Sequence, residues 1–225
     1  MPIRTILQIA VVAATIHCSY AQQEGEVAFQ FLAFPKRLNP EPIQLLIGDN
    51  KTIRIEIPGH ELSPVYKVKP LASVVVGATG TNEKGETVFK IYGKAPALPS
   101  RKQIVLLMRK GEDNSDGFVV LPIDGDLAKF SGGDYFFINA AKMPVGGKIG
   151  DKTFALKPGQ RTLLEPAPTH EGGGCQVTLS YQNQEKWKVF YDTRWSVNKR
   201  YRSLIFFYQD SETGSLGVAP IVDVL

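Results

Sequence analysis

The sequence is poor in the residues that carry most enzyme chemistry. Its 225 residues hold only 2 cysteines and 3 histidines. That excludes a multi-disulfide framework. It also leaves few ligands for zinc, which asks for three or four that converge. No GxSxG, GxxxxGKS or GxGxxG occurs, so the nucleophile elbow, the phosphate-binding P-loop and the dinucleotide turn are all missing. Helical periodicity is missing beyond the first residues, and one apolar run, about Ile6 to Ile16, stands out. At that length it falls short of the roughly 20 residues that cross a bilayer. Neither charge sign dominates: 26 basic against 22 acidic residues give a net +4, with no basic arm or acidic tail that would point to nucleic acid.

What is present begins with "MPIRTILQIAVVAATIHCSYAQQ". Arg4, the apolar run, and small residues Ser19 and Ala21 at the minus-three and minus-one positions make the three-part pattern of a secretory signal peptide over residues 1–21. The residues before Cys18 do not form a lipidation box. The expected product starts at Gln22, is exported to the periplasm or beyond the cell, and has no membrane insertion after cleavage. It keeps Cys175 as its one thiol, and His60 and His170 as its imidazoles.

The chain also repeats itself. "IGDNKTIRIEIPG" at residues 47–59 is answered by "IGDKTFALKPG" at residues 149–159. Ile47-Gly48-Asp49 lies 102 residues before Ile149-Gly150-Asp151, and Pro58-Gly59 lies 100 before Pro158-Gly159. Downstream, Val88-Phe89 falls on Val189-Phe190, Ile104–Met108 on Leu204–Tyr208, and Pro122-Ile123 on Pro220-Ile221. Self-similarity in constant order predicts two copies of one domain.

Each copy holds eight candidate strands. "TIRIEI" alternates apolar and polar residues, as a half-buried strand does. "QIVLLM" and "SLIFFY" are short continuous apolar runs, the mark of strands buried on both faces. Turn clusters such as "NEKG", "KPG" and "ETG" separate them, and only "DGDLAKFSGG" has a locally helical look, for one turn. Short strands with regular turns predict an all-β protein of two tandem immunoglobulin-like β-sandwich domains, residues 25–123 and 132–225, with a linker at 124–131. One large sandwich or jelly roll is the alternative. The linker is expected to be cut first by protease and to release two folded pieces.

Candidate chemistry is sparse. "THEGGGCQ" at residues 169–176 combines a histidine, an acid and Cys175, but a thiol nucleophile needs a base in reach and a third group orienting it. Cys175 reads more simply as a half-buried thiol at a strand start, and the Gly-Asp pairs as hairpin tips rather than metal ligands. Arg194, Lys199, Arg200 and Arg202 form the densest basic stretch and read as a solvated loop. Aromatics gather late: Trp187, Tyr191, Trp195 and Tyr201 surround one hairpin of the second copy, where the first has no Trp. Alternation of Trp187, Val189 and Tyr191 places them on a core face, and Trp195 in a loop as the exposed contact. The candidate binding residues are accordingly Trp187, Trp195 and Tyr201, with no catalytic residue, metal or cofactor assigned.

"SGGDYFFINAAKMPVGGKIGDKTFALKPGQ" at residues 131–160, with "RSLIFFYQDSETG" at residues 202–214, resembles a family of uncharacterised exported bacterial β-rich proteins. Those share a Gly-aromatic-Asn strand, a Pro-Gly turn and an Arg-hydrophobic strand. The resemblance implies location and fold, and no activity. Together these readings predict a non-catalytic interaction or structural protein of the cell envelope, with an envelope protein or a surface polysaccharide as partner. A carbohydrate-binding module and a hydrolase with an unrecognised site are the alternatives.

Overall fold

The structure, a computed structural model, describes residues 25–35, 43–49, 51–58, 60–110, 117–168, 173–210 and 212–225. The leader, Gly59 and the His170-Glu171 pair lie outside the described residues. Among the described residues there is no helix, and sixteen strands carry the fold. In the first half these are β1 (Val27–Phe34), β2 (Ile43–Gly48), β3 (Lys51–Ile55), β4 (Tyr66–Val68), β5 (Ser73–Thr81), β6 (Thr87–Pro96), β7 (Lys102–Arg109) and β8 (Phe118–Asp124). The second half follows with β9 (Tyr135–Asn139), β10 (Val145–Ile149), β11 (Lys152–Leu156), β12 (Arg161–Leu164), β13 (Gly174–Asn183), β14 (Lys186–Ser196), β15 (Tyr201–Gln209) and β16 (Leu216–Val224).

They form four sheets of four strands, ordered β4-β1-β7-β8, β3-β2-β5-β6, β12-β9-β15-β16 and β11-β10-β13-β14. Adding eight to each label turns the first two sheets into the last two. The chain is thus a duplicated, all-β protein of two immunoglobulin-like sandwiches. In each copy the first strand pairs in parallel with the seventh, β1 with β7 and β9 with β15, where an immunoglobulin sheet is mostly antiparallel. Even an irregularity is copied: the register slips at Val76/Gly77 between β5 and β6, and at Leu179/Ser180 between β13 and β14. The extra residues are Tyr92 and Phe190. The bulge therefore aligns Ile91-Tyr92 with Val189-Phe190, three residues off the pairing that sequence similarity suggests for this strand.

Each sandwich has its own core. Phe29, Phe31, Leu45, Val74, Val76, Val105 and Leu107 fill the first, and Phe137, Val145, Val177, Leu179, Ile205 and Phe207 the second. A third cluster lies between them. Leu32, Ile104, Leu106 and Ile123 of the sheet β4-β1-β7-β8 meet Ile138, Leu204, Phe206 and Ile221 of the sheet β12-β9-β15-β16. Phe34 stacks on Phe206 at 4.2 Å and 10°. Odd residues of β7 and β15 thus face a sandwich interior, while even residues face the other copy. This is why "QIVLLM" and "SLIFFY" are apolar without interruption.

The connection at 124–131 is fastened at both ends. Arg202, with no exposed side-chain surface, donates from Nε to Asp223 at 2.8 Å and from Nη1 to the carbonyls of Gly125 at 3.0 Å and Phe130 at 2.6 Å. Its guanidinium also lies 4.5 Å from the centre of the buried Phe130 ring. Arg202 is therefore a buried clamp rather than part of a solvated basic loop. The expected turn is present, with the amides of Lys129 and Phe130 donating to the Asp126 carbonyl at 3.0 and 2.8 Å.

Candidate interaction surface

β14 is a sheet edge, eleven residues long, rich in the aromatic and β-branched residues that favour strands. The bulge at Phe190 decides what each side chain does. On its C-terminal side Tyr191, Thr193 and Trp195 stand opposite Leu179, Val177 and Cys175, and so face the sandwich interior. On its N-terminal side Val189 and Trp187 stand opposite Ser180 and Gln182, on the outer face. One inserted residue flips the side-chain alternation.

The consequences differ from the sequence reading. Trp187 and Val189 are 48% and 61% exposed, and Tyr191 is 37% exposed, so the trio is no core face. Trp187 lies over Gly146, where a Cβ would come within 3.2 Å of its ring. Trp195 is in the strand, not in a loop. Its ring is nearly parallel to Phe137 at 6.2 Å, sits 5.3 Å from Tyr135, and donates from Nε1 to the Tyr191 hydroxyl at 3.4 Å. Tyr201 starts β15 and donates to the Ser196 carbonyl at 3.4 Å, which also accepts from Tyr135 at 2.6 Å.

Trp195 and Tyr201 therefore come together at one end of the second sandwich. Trp187 is eight residues away along the strand, on the other face, about 25 Å distant at the rise of a β-strand. The three rings line no shared groove.

Cys175 stands opposite Trp195 with no exposed surface, where burial pushes its thiol above the ordinary cysteine value. The thiolate a nucleophile needs is thus disfavoured. Among the described residues no group of three His, Cys, Asp or Glu side chains could hold a metal. The motif residues behind the family resemblance hold structure. Asn139 is buried, donates to the carbonyls of Met143 and Leu156 at 2.9 and 3.0 Å, and accepts from the amide of Ala141 at 3.0 Å. It ties the end of β9 to the end of β11.

The two copies differ at one seam, between the sandwich edges β6 and β8 in the first and β14 and β16 in the second. In the first copy β6 closes on β8: a Cβ at Gly93 would stand 2.6 Å from Val120 Cγ2 and 2.7 Å from the Phe118 carbonyl. Gly93, Ala95 and Ala97 are the small residues along that edge, and beneath them Phe118, Val120 and Pro122 are buried. In the second copy the bulge aligns Tyr191, Thr193 and Trp195 with those three small positions. β14 cannot come as close. Leu216 and Val218, which take the places of Phe118 and Val120, are only half-buried, Pro220 is exposed where Pro122 is buried, and Val222 is 46% exposed. Sequence reasoning missed this strip of β16, because the apolar alternation of β8 and β16 is the same. The bulge that aligns the copies correctly is visible only in the strand pairing. No family model and no curated protein matches the chain.

Proposed function

We propose that this is an exported, non-catalytic interaction protein of the cell envelope, which engages its partner through the second sandwich. The observation that carries the reading is the asymmetry between the copies. One set of strands covers the inner face of its last strand, and the other leaves Leu216, Val218, Pro220 and Val222 half-buried or exposed. An apolar strip kept open in one of two duplicated sandwiches fits a binding surface better than a folding need. Export rests on the leader pattern at residues 1–21.

A photo-reactive amino acid at position 222, expressed in the cells that make the protein, tests the reading. Irradiation should join the chain to one envelope component from position 222, and not from position 65, which is exposed in the first copy. No adduct in the envelope fraction, or the same adducts from both positions, would end it.

A further inference from the structure

We propose that the seam between β14 and β16 accepts an extended strand of a partner polypeptide whose residues alternate apolar and acidic. The proposal rests on the interaction reading above and adds the chemistry of the partner.

Three observations lead there. First, the shape of the seam is that of a strand. Among the described residues β14 pairs only with β13 and β16 only with β15, so each presents an unpaired row of backbone groups along the same opening. Exposed edges of this kind recruit a further strand. Second, the floor on β16 is apolar at every second position, through Leu216, Val218, Pro220 and Val222, and β14 adds Tyr191 and Trp195 with Thr193 between them. A strand laid there would bury every second side chain.

Third, the charged side chains on the inward face of β14 are cations. Lys186 and Lys188 stand opposite Asn183 and Tyr181, on the same side of the strand as Tyr191, and are exposed, whereas Arg194 shares the outer face with Asp192. In the strands β13 to β16 themselves the acids are Asp192 and Asp223, both engaged, while Glu185, Asp210 and Glu212 lie in the turns at the strand ends. Asp192 accepts from Gln176 at 2.5 Å and Thr178 at 3.2 Å on the outer face, and Asp223 accepts from Arg202. Inward cations with no acid on the same face of β14 complement an acidic partner strand and repel a basic one. Trp195 lies against Phe137 and Tyr135 rather than standing free as a flat platform, which disfavours sugar rings.

The test uses the full mature chain and three synthetic decapeptides: alternating Val and Glu, alternating Val and Lys, and Val and Glu in two separate blocks. Titration followed by tryptophan fluorescence and calorimetry should show binding of the first, with the other two at least about tenfold weaker. Tyr191→Gly with Trp195→Ala restores small residues like those of the first copy and should weaken binding about 30-fold, as loss of an aromatic anchor does. Lys186→Glu with Lys188→Glu changes only exposed side chains and should reverse the preference between the Glu and Lys peptides. Val65→Ser, in the other copy, should leave binding unchanged.

Equal binding of the Glu and Lys peptides, no binding of any peptide, or a charge-reversed variant with an unaltered preference would each overturn the proposal. So would sedimentation showing a dimer that these variants dissolve, which would give the seam to a second copy. If position 222 still captures an envelope component while the peptides fail, the strand is wrong and the interaction reading stands.

Discussion

At the scale of single residues, burial decides which polar groups matter. The Arg202 guanidinium has left water entirely, and Asp223, two carbonyls and the Phe130 ring offset part of that cost, while Nη2 has no hydrogen-bond partner among the described residues. Arg202→Ala strands the buried partners and should cost about 3–5 kcal/mol, read as a shift in the urea midpoint. An unchanged midpoint would show that the clamp holds nothing. Cys175 should ignore a thiol reagent in the native protein and react fully in denaturant, because its thiol is both enclosed and held protonated by burial.

Acid stability has its own residues. Burial alone would raise the Asp124 carboxyl, but hydrogen bonds from Lys129, Ser100 and the Asp126 amide, with the Lys129 charge, outweigh it and hold it below the ordinary value. Asp210 is lowered by the amide and hydroxyl of Thr213, against a weaker effect of burial, and by the Glu212 amide. A carboxyl whose folded pKa is depressed stabilises the fold above its unfolded pKa, and that stabilisation is lost as pH falls through the folded value. Urea midpoints should therefore hold steady near neutrality and fall below about pH 4, the ordinary Asp range. Asp124→Asn should flatten that fall, and an identical acid profile would contradict the assignment.

At the scale of elements, the pair of copies is its own control. The same bulge, the same strand order and the same parallel pair recur, while Gly93, Ala95 and Ala97 give way to Tyr191, Thr193 and Trp195. Gly93→Ala pushes a methyl into Val120 and the Phe118 carbonyl, and overpacking of this kind costs about 1–3 kcal/mol. The cost should appear as a lower denaturation midpoint together with exposure of Phe118, seen as faster amide exchange across β8. Unaltered exchange there would mean that β6 and β8 do not depend on the close approach.

At the scale of the whole molecule, the third apolar cluster changes what the two halves are to one another. Phe206 is fully buried against Phe34, and Phe130 seals the cluster from the connecting segment. Removing a buried Phe ring costs about 3–5 kcal/mol. The halves should thus unfold in one transition, and Phe206→Ala should lower it as a whole. A protease that nicks the exposed stretch 126–129 should leave both pieces co-eluting until denaturant is added. Two pieces that part in plain buffer would restore the picture of a loose linker.

Sequence alone determined the period of the side chains, and with it the all-β class, the duplication, the two hairpin turns that follow Ile47 and Ile149, and the double-sided apolarity of β7 and β15. Those are local or repeated properties, written in alternation and turn chemistry. Tertiary structure alone decided three things. One extra residue at Phe190 turned Trp187 and Val189 outward and drew Trp195 onto the core, so rings that look alike along the chain lie on opposite faces. Packing of one sheet on another took Arg202 out of the solvent and made a third core from the faces left over. The approach of two edges decided that one seam closes while the other stays open, because distance across a sandwich depends on the bulk of side chains from strands far apart in the chain.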